Sequence, residues 1–320
     1  MRRKRIGISD VLFGEGTALF ALILVIIVAS IGAVLMYQSI PTIREFGLNF
    51  WRTKTWDPVA ENFGAYPFIW GTLYSSFLAL LIATPISLGV AIFISELCPH
   101  WLRSPLIFLT ELLAAVPSIV YGMWGMFVLV PFVRTVQTGF PDWLRVLPIF
   151  AGRGYGVGMM SAVLILVIMV IPFTSSVARE VLKAVPVAQR ETAYSLGATR
   201  WEVTKVVLHY ARVGVVGAII LGLGRALGET MAVTMVIGNT PQASWSLFAT
   251  QYTMAAAIAN ELVEATTPLH VSALIEIGLV LFIITFIINV LSRLLIWRMT
   301  ATRKTKAIAI PAGAAAESAT

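Results

Sequence analysis

The sequence predicts an all-α integral membrane protein with six transmembrane helices and both termini in the cytoplasm. Three observations carry that expectation. Hydrophobic residues make up 58% of the 320 residues and charged residues only 12%, about half the roughly 25% that clothes a soluble domain. Six stretches are apolar over the ~20 residues a spanning helix needs. The basic residues fall in short flanks between those stretches, unequally on the two sides. With a mean hydropathy of +0.87, this composition excludes a water-soluble enzyme, a disordered chain and a nucleic-acid-binding domain, despite a formal net charge of +7.

The stretches run over 17–37, 68–94, 106–132, 159–178, 213–237 and 273–297. None alternates apolar and polar residues as a barrel strand does. The first follows Met1-Arg2-Arg3-Lys4-Arg5, but it is longer than the ~7–15-residue core of a signal peptide and is expected to be a retained anchor. Pro85 and Pro117 lie inside the second and third stretches and are expected to kink them, since each removes a backbone donor. Residues 134–158 carry Gly139-Phe140-Pro141 and then Gly152, Gly154, Gly156 and Gly158, which predicts an irregular loop. Residues 1–16 form a cytoplasmic flank, 17–300 the six-span unit, and 301–320 an Ala-rich tail expected to be disordered and cytoplasmic.

Sidedness follows from Lys and Arg. With the N-terminus inside, the inner segments hold four, one, six and four of them; the outer loops hold three (Arg44, Arg52, Lys54), three (Arg134, Arg145, Arg153) and none. Fifteen against six sets both termini on the cytoplasmic side.

Enzymatic motifs are missing. No Gly-x-x-x-x-Gly-Lys-Ser/Thr loop occurs, so the chain is not expected to hydrolyse ATP by that route. Cys98 is the one cysteine, and His100, His209 and His270 lie in different loops. Neither a metal site nor nucleophilic catalysis is expected.

Two segments carry information. The inner loop 179–212 is highly charged, with a helix predicted over 186–196, a break at Gly197 and a second short helix from Thr199. Leu196, Ala198, Trp201 and Val203 around that break predict a small apolar knob on a polar surface. In the fifth stretch, Arg225 and Glu229 stand four apart within an apolar run. A charge near a span centre costs about 2.5–3.5 kcal/mol and so faces protein or water; the spacing puts both on one helical face, where each partly neutralises the other. Glu111 and Glu276 are further acids in spans, and either is an alternative partner for Arg225. Gly224 and Gly228 form a small-x-x-x-small strip that allows close approach of another helix. This set reads either as a translocation pathway or as a structural clamp.

The run Glu191-Thr-Ala193-Tyr-Ser-Leu-Gly197 resembles the Glu-Ala-Ala-x-x-x-Gly loop of ABC importer permeases, with Thr192 in place of the first alanine. Downstream the pattern departs: Val206-Val207-Leu208-His209 follows the glycine after eight residues, where that family has nine and then Ile-x-Leu-Pro. The run Gly222-Leu-Gly-Arg225-Ala-Leu-Gly228-Glu229-Thr-Met-Ala is similar to the fifth span of phosphate-specific, PstC-like permeases, as are Leu113-Ala-Ala-Val-Pro117-Ser118 and Trp56-Asp-Pro58-Val-Ala-Glu-Asn-Phe-Gly64. The resemblance covers roughly residues 50–300.

It implies a type I-like importer permease fold and transport of inorganic phosphate. It also implies a second permease (PstA-like), two ATPase subunits (PstB-like) and a phosphate-binding protein outside (PstS-like). No cofactor is implied in this chain; ATP and Mg belong to the ATPase subunits. Glu191, Ala193, Gly197, Ala198, Trp201 and Val203 would contact the ATPase, and Arg225, Glu229, Glu111 and Glu276 would line the pathway. The alternatives are a permease for another oxyanion, such as molybdate or sulfate, and a proton-coupled secondary transporter that uses the three acids as proton carriers.

Overall fold

The computed structural model of the chain describes residues 8–307. Its helices are α1 Ile8–Gln38, α2 Ile40–Phe46, α3 Tyr66–Ile92, α4 His100–Ala115, α5 Ser118–Trp124, α6 Val130–Thr138 and α7 Asp142–Arg145. They continue with α8 Met159–Lys183, α9 Val187–Ser195, α10 Arg200–Leu227, α11 Met231–Ile237, α12 Met254–Glu261 and α13 Pro268–Ala307. Two π-helical stretches extend the set: Phe93–Leu97 ends α3, and Gly125–Leu129 joins α5 to α6. Among the described residues, extended pairing is limited to one bridge between Asp57 and Asn62.

Six helical runs are long and apolar enough to cross a membrane: Phe13–Gln38, Tyr66–Leu97, Ser118–Thr138, Met159–Lys183, Arg200–Leu227 and Pro268–Met299. Six crossings return the chain to the side on which it started, so both ends of the described chain leave at the end that carries α9. Residues 1–7 of the expected flank and 308–320 of the expected tail lie outside the described residues. Residues 301–307 are not irregular, because α13 continues through them.

Two spans differ from the sequence expectation. The third does not run through 106–132: Val116 turns extended (φ −62°, ψ 129°) because the following Pro117 crowds its α conformation. Helix α4 therefore stops, and a new span begins at Ser118; Leu113 O, whose i+4 partner is Pro117, accepts from Val116 N (3.4 Å) and from the Tyr121 hydroxyl (2.8 Å) instead. Pro85, by contrast, sits within a continuous α3. The fifth span does not run through 213–237. It starts at Arg200 and stops at Leu227, and α11 forms separately after Gly228, Glu229 and Thr230. The predicted short second helix of the inner loop is thus the base of α10. Thr199 sets its start through a capping box: Glu202 N donates to Thr199 Oγ1 (3.4 Å) and Thr199 N to Glu202 Oε2 (2.8 Å), which satisfies two orphan donors reciprocally. Twenty-eight residues give α10 a length of about 42 Å, enough to cross a bilayer core.

Helix α8 is the axis. Its apolar stretch is 61% buried, against none for α1, and α3, α4, α10 and α11 all pack on it. Small residues let these helices come close without lipid-excluded voids: Ala79, Ala83, Ala162, Ala226 and Ala232 are all buried there. Gly122 permits a close crossing of α5 and α11, since a Cβ on it would meet Met235 Sδ at 2.8 Å and Ala232 Cα at 3.0 Å. A second core, at the end opposite α9, gathers Phe50, Trp56, Phe63 and Phe68 against Tyr252, Leu274 and Ile277. A third, at the α9 end, gathers Leu182, Val185, Ala193, Val203, Val207 and Ala211. Helix α1 packs on α13 and α2 and leaves the rest of its apolar surface outward, as expected for a helix solvated by lipid chains.

Candidate functional site

The break between α10 and α11 positions the charged pair of the fifth span. Arg225 lies in the last turn of α10, and the helix closes there as Gly228 N–H donates to Gly224 O (3.3 Å). Its guanidinium carbon stands 5.6 Å from the centre of the Phe173 ring on α8, a distance at which a cation is attracted to the ring face. Tyr121 is near enough for the Arg225 charge to act on its phenol. No carboxylate lies within ion-pair distance of Arg225 among the described residues, and its Nε is buried without a partner.

Glu229 does not neutralise Arg225 from the next helical turn, because the helix has ended between them. Its carboxylate, 9% exposed, accepts from Ala232 N at 3.2 Å and so holds the first turn of α11, where a negative charge is favourable. Glu111 does not reach Arg225 either; it pairs with Arg179 at 2.8 Å. Glu276 on α13 is 2% exposed, and its Oε2 has no partner. The structure thus separates the four charged residues into an unpaired cation, a helix cap, a pair at the α9 end and a buried lone acid.

Gly224 and Gly228 receive no helix from among the described residues. A Cβ on Gly224 meets nothing within 4 Å, and on Gly228 only Gly224 O at 3.6 Å. With Leu221 and Met231, each about half exposed, they make an open face beside Arg225.

At the α9 end the loop is a helix, a turn and a helix. Gly197 takes φ +81°, where side chains with a Cβ are strained. The turn closes through Gly197 N–H to Tyr194 O (2.9 Å) and Ala198 N–H to Ala193 O (3.1 Å). The expected knob is differently composed. Ala193 (8% exposed) and Val203 (2%) face inward with Ala198 packed against the same core, so these three seat the loop rather than display it. The exposed apolar residues are Leu196 (83%) and Trp201 (57%), joined by Val187 and Tyr194; Glu191 is exposed beside them. Tyr194 and Val187 were legible as the outer face once Ala193 is placed inward, because residues one apart on a helix point in different directions.

Sequence reasoning also missed the strut that holds this loop. Arg190 donates from Nε and Nη2 to both oxygens of Glu96 (3.3 and 2.9 Å), from Nη1 to Val185 O (2.7 Å) and from Nη2 to Leu182 O (2.9 Å). One guanidinium therefore binds α9 to the ends of α3 and α8.

Residues 87–301 match the family described as binding-protein-dependent transport system inner membrane component. The chain belongs to this permease family. It is 49% identical over 298 residues to the phosphate transport system permease protein PstC of Pasteurella multocida, covering 91% of this chain and 93% of that protein. The PstC of Mesorhizobium japonicum is 43% identical, covering 93% of each, and a probable PstC of Methanocaldococcus jannaschii 37%, covering 80% and 83%. The permease also shares its fold with an inward-facing structure of the MetNI methionine ABC transporter, at a TM-score of 0.56 and 17% identity over 72% of this chain and 94% of that one. It is a PstC-like, multi-pass inner membrane permease with a transport role.

Proposed function

We propose that this permease forms one half of the pathway of an ABC importer for inorganic phosphate. A second permease (PstA-like) supplies the other half, a phosphate-binding protein (PstS-like) delivers the anion, and two ATPase subunits (PstB-like) bind ATP and Mg and hydrolyse the nucleotide. The observation that carries the reading is Arg225: a guanidinium inside a spanning helix, without a carboxylate partner among the described residues, beside a glycine face that none of them fills. The names of relatives at 37–49% identity supply the substrate.

An unpaired arginine presents a planar fork of donors that suits a tetrahedral oxyanion. Glu229 Oε1 is held by Ala232 N, which leaves Oε2 to accept from a protonated phosphate oxygen. Sulfate carries no proton at neutral pH and is disfavoured there. Glu276 adds a buried acid in the neighbouring α13. The exposed Leu196, Trp201, Tyr194 and Val187 dock on the ATPase, and the positive-inside bias sets the α9 end and both termini in the cytoplasm.

The test is reconstitution with the neighbouring subunits. Phosphate-loaded binding protein is expected to stimulate ATP hydrolysis and phosphate uptake together, and sulfate to compete for neither.

A further inference from the structure

A second basic site lies away from Arg225, at the α9 end. A cavity of about 140 Å³ opens between the end of α3, the start of α4 and the last turns of α8, lined by Ser95, Arg103, Ile107, Arg179 and Lys183. The lining pairs two helical stripes: Arg103 and Ile107 are four apart on α4, Arg179 and Lys183 four apart on α8, so each pair shares a face. Three cations therefore converge on one small space, and no acid contributes to its wall.

Their bonds show what is fixed and what is left over. Arg103 donates from Nε to Ile94 O (2.9 Å) and from Nη2 to Ser95 O, which fixes its guanidinium without engaging Nη1 in either bond. Arg179 is 6% exposed. Its Nη2 meets Glu111 (2.8 Å) and Glu180 (3.0 Å), both more than half exposed and outside the lining, while its Nε is buried without a partner. Lys183 makes no ion pair among the described residues and stands at the end of the spanning stretch Met159–Lys183. Arg179 is thus already compensated by two carboxylates, and the charges without a carboxylate partner among the described residues are those of Arg103 and Lys183, which an anion in the cavity would balance.

We infer that this cavity binds a phosphate group, held by Arg103, Arg179 and Lys183. Two sources present that chemistry at this depth. One is the headgroup of an anionic phospholipid, since basic pockets between helices at the cytoplasmic side take such headgroups; Phe108, Leu109 and Leu112 of α4 are about half exposed or more and would run beside its acyl chains. The other is free inorganic phosphate. The inference requires no partner subunit and does not depend on the transport reading.

The test uses the full chain in nanodiscs and two probes. In phosphatidylcholine alone, inorganic phosphate is titrated and Tm is followed. In a second set, phosphatidylglycerol replaces part of the phosphatidylcholine, and Tm is read together with lipid retention in native mass spectrometry. Lys183→Glu is the variant of choice, because Lys183 is exposed at a helix end and makes no ion pair among the described residues; its Tm in phosphatidylcholine without phosphate checks the fold. Loss of one cation near the membrane surface is expected to weaken binding about fivefold, and reversal of its charge more; Lys183→Arg is expected to keep binding. Stabilisation of the native chain by phosphatidylglycerol alone assigns the lipid headgroup, by phosphate alone the free anion, and by both a site that accepts either. Equal responses of the native chain and Lys183→Glu to both probes, or no response to either, overturn the inference.

Discussion

Arg190 and Glu96 form a two-bonded ion pair (2.9 and 3.3 Å) between the loop helix α9 and the π-helical end of α3, with side chains only 20% and 10% exposed. The same guanidinium also holds the carbonyls of Leu182, in the last turn of α8, and Val185 just after it. Together with the buried Ala193 and the chain connections to α8 and α10, this pair ties α9 to the ends of the second and fourth spans, so displacement of α9 is felt by both.

Arg190→Ala leaves a nearly buried carboxylate unpaired, at a cost of about 3–5 kcal/mol. Hydrogen exchange over residues 187–196 is expected to rise, and ATP hydrolysis per phosphate imported to increase as the strokes uncouple. The exchanged pair Arg190→Glu with Glu96→Arg is expected to recover part of the coupling. Equal coupling in the native chain and Arg190→Ala removes the strut role.

A Cβ on Gly197 meets nothing within 4 Å, so the effect of Gly197→Val is ascribed to backbone strain at φ +81°, worth about 1–2 kcal/mol. Span insertion is expected to be normal and capture of the ATPase subunits reduced, whereas Gly197→Asn, which tolerates this conformation, is expected to retain most of it. The check is co-purification of the three versions.

Gly224→Leu is expected to leave the isolated chain as stable as before or about 0.5–1 kcal/mol more so, since leucine is the better helix former and a Cβ at this position meets nothing within 4 Å. Assembly with the second permease, or uptake, is expected to fail in this variant and in Gly228→Leu. Thermal melts of the chain beside yields of the complex separate the two effects; normal yield and uptake in both variants contradict a face that receives a partner or the anion.

Glu229→Gln keeps an oxygen that accepts from Ala232 N, so α11 remains capped. Phosphate uptake is expected to fall about tenfold, as one hydrogen bond to a charged group is weakened, with stimulation of ATP hydrolysis preserved. Uptake measured against sulfate competition is the check: unchanged phosphate uptake and unchanged discrimination return Glu229 to a purely capping role.

The number and order of spans were legible because length and hydropathy alone decide what crosses a bilayer core. The breaks were harder. Pro117 carried a local signal that the preceding residue turns extended, yet the apolar run passes over it unchanged. The break at Gly228 hid inside an apolar stretch, so Arg225 and Glu229 read as one helical face when a helix end lies between them. In the loop, Gly197 was legible from its type, but the inward turn of Ala193 and Val203 depends on the core built by Leu182 and Ala211. The Arg190–Glu96 strut and the Glu111–Arg179 pair join residues 94 and 68 positions apart, which no local pattern connects.

The central claim is that Arg225 meets the anion, and phosphate uptake by the reconstituted importer carrying Arg225→Ala tests it most directly. The account predicts a complex formed at normal yield with uptake reduced about tenfold to a hundredfold, the value of a lost hydrogen bond to a charged group. Arg225→Lys is expected to recover only part of it, because the charge returns without the planar fork. Uptake at the native rate in Arg225→Ala, or a complex that falls apart when Arg225 is replaced, contradicts the claim and makes Arg225 a structural residue.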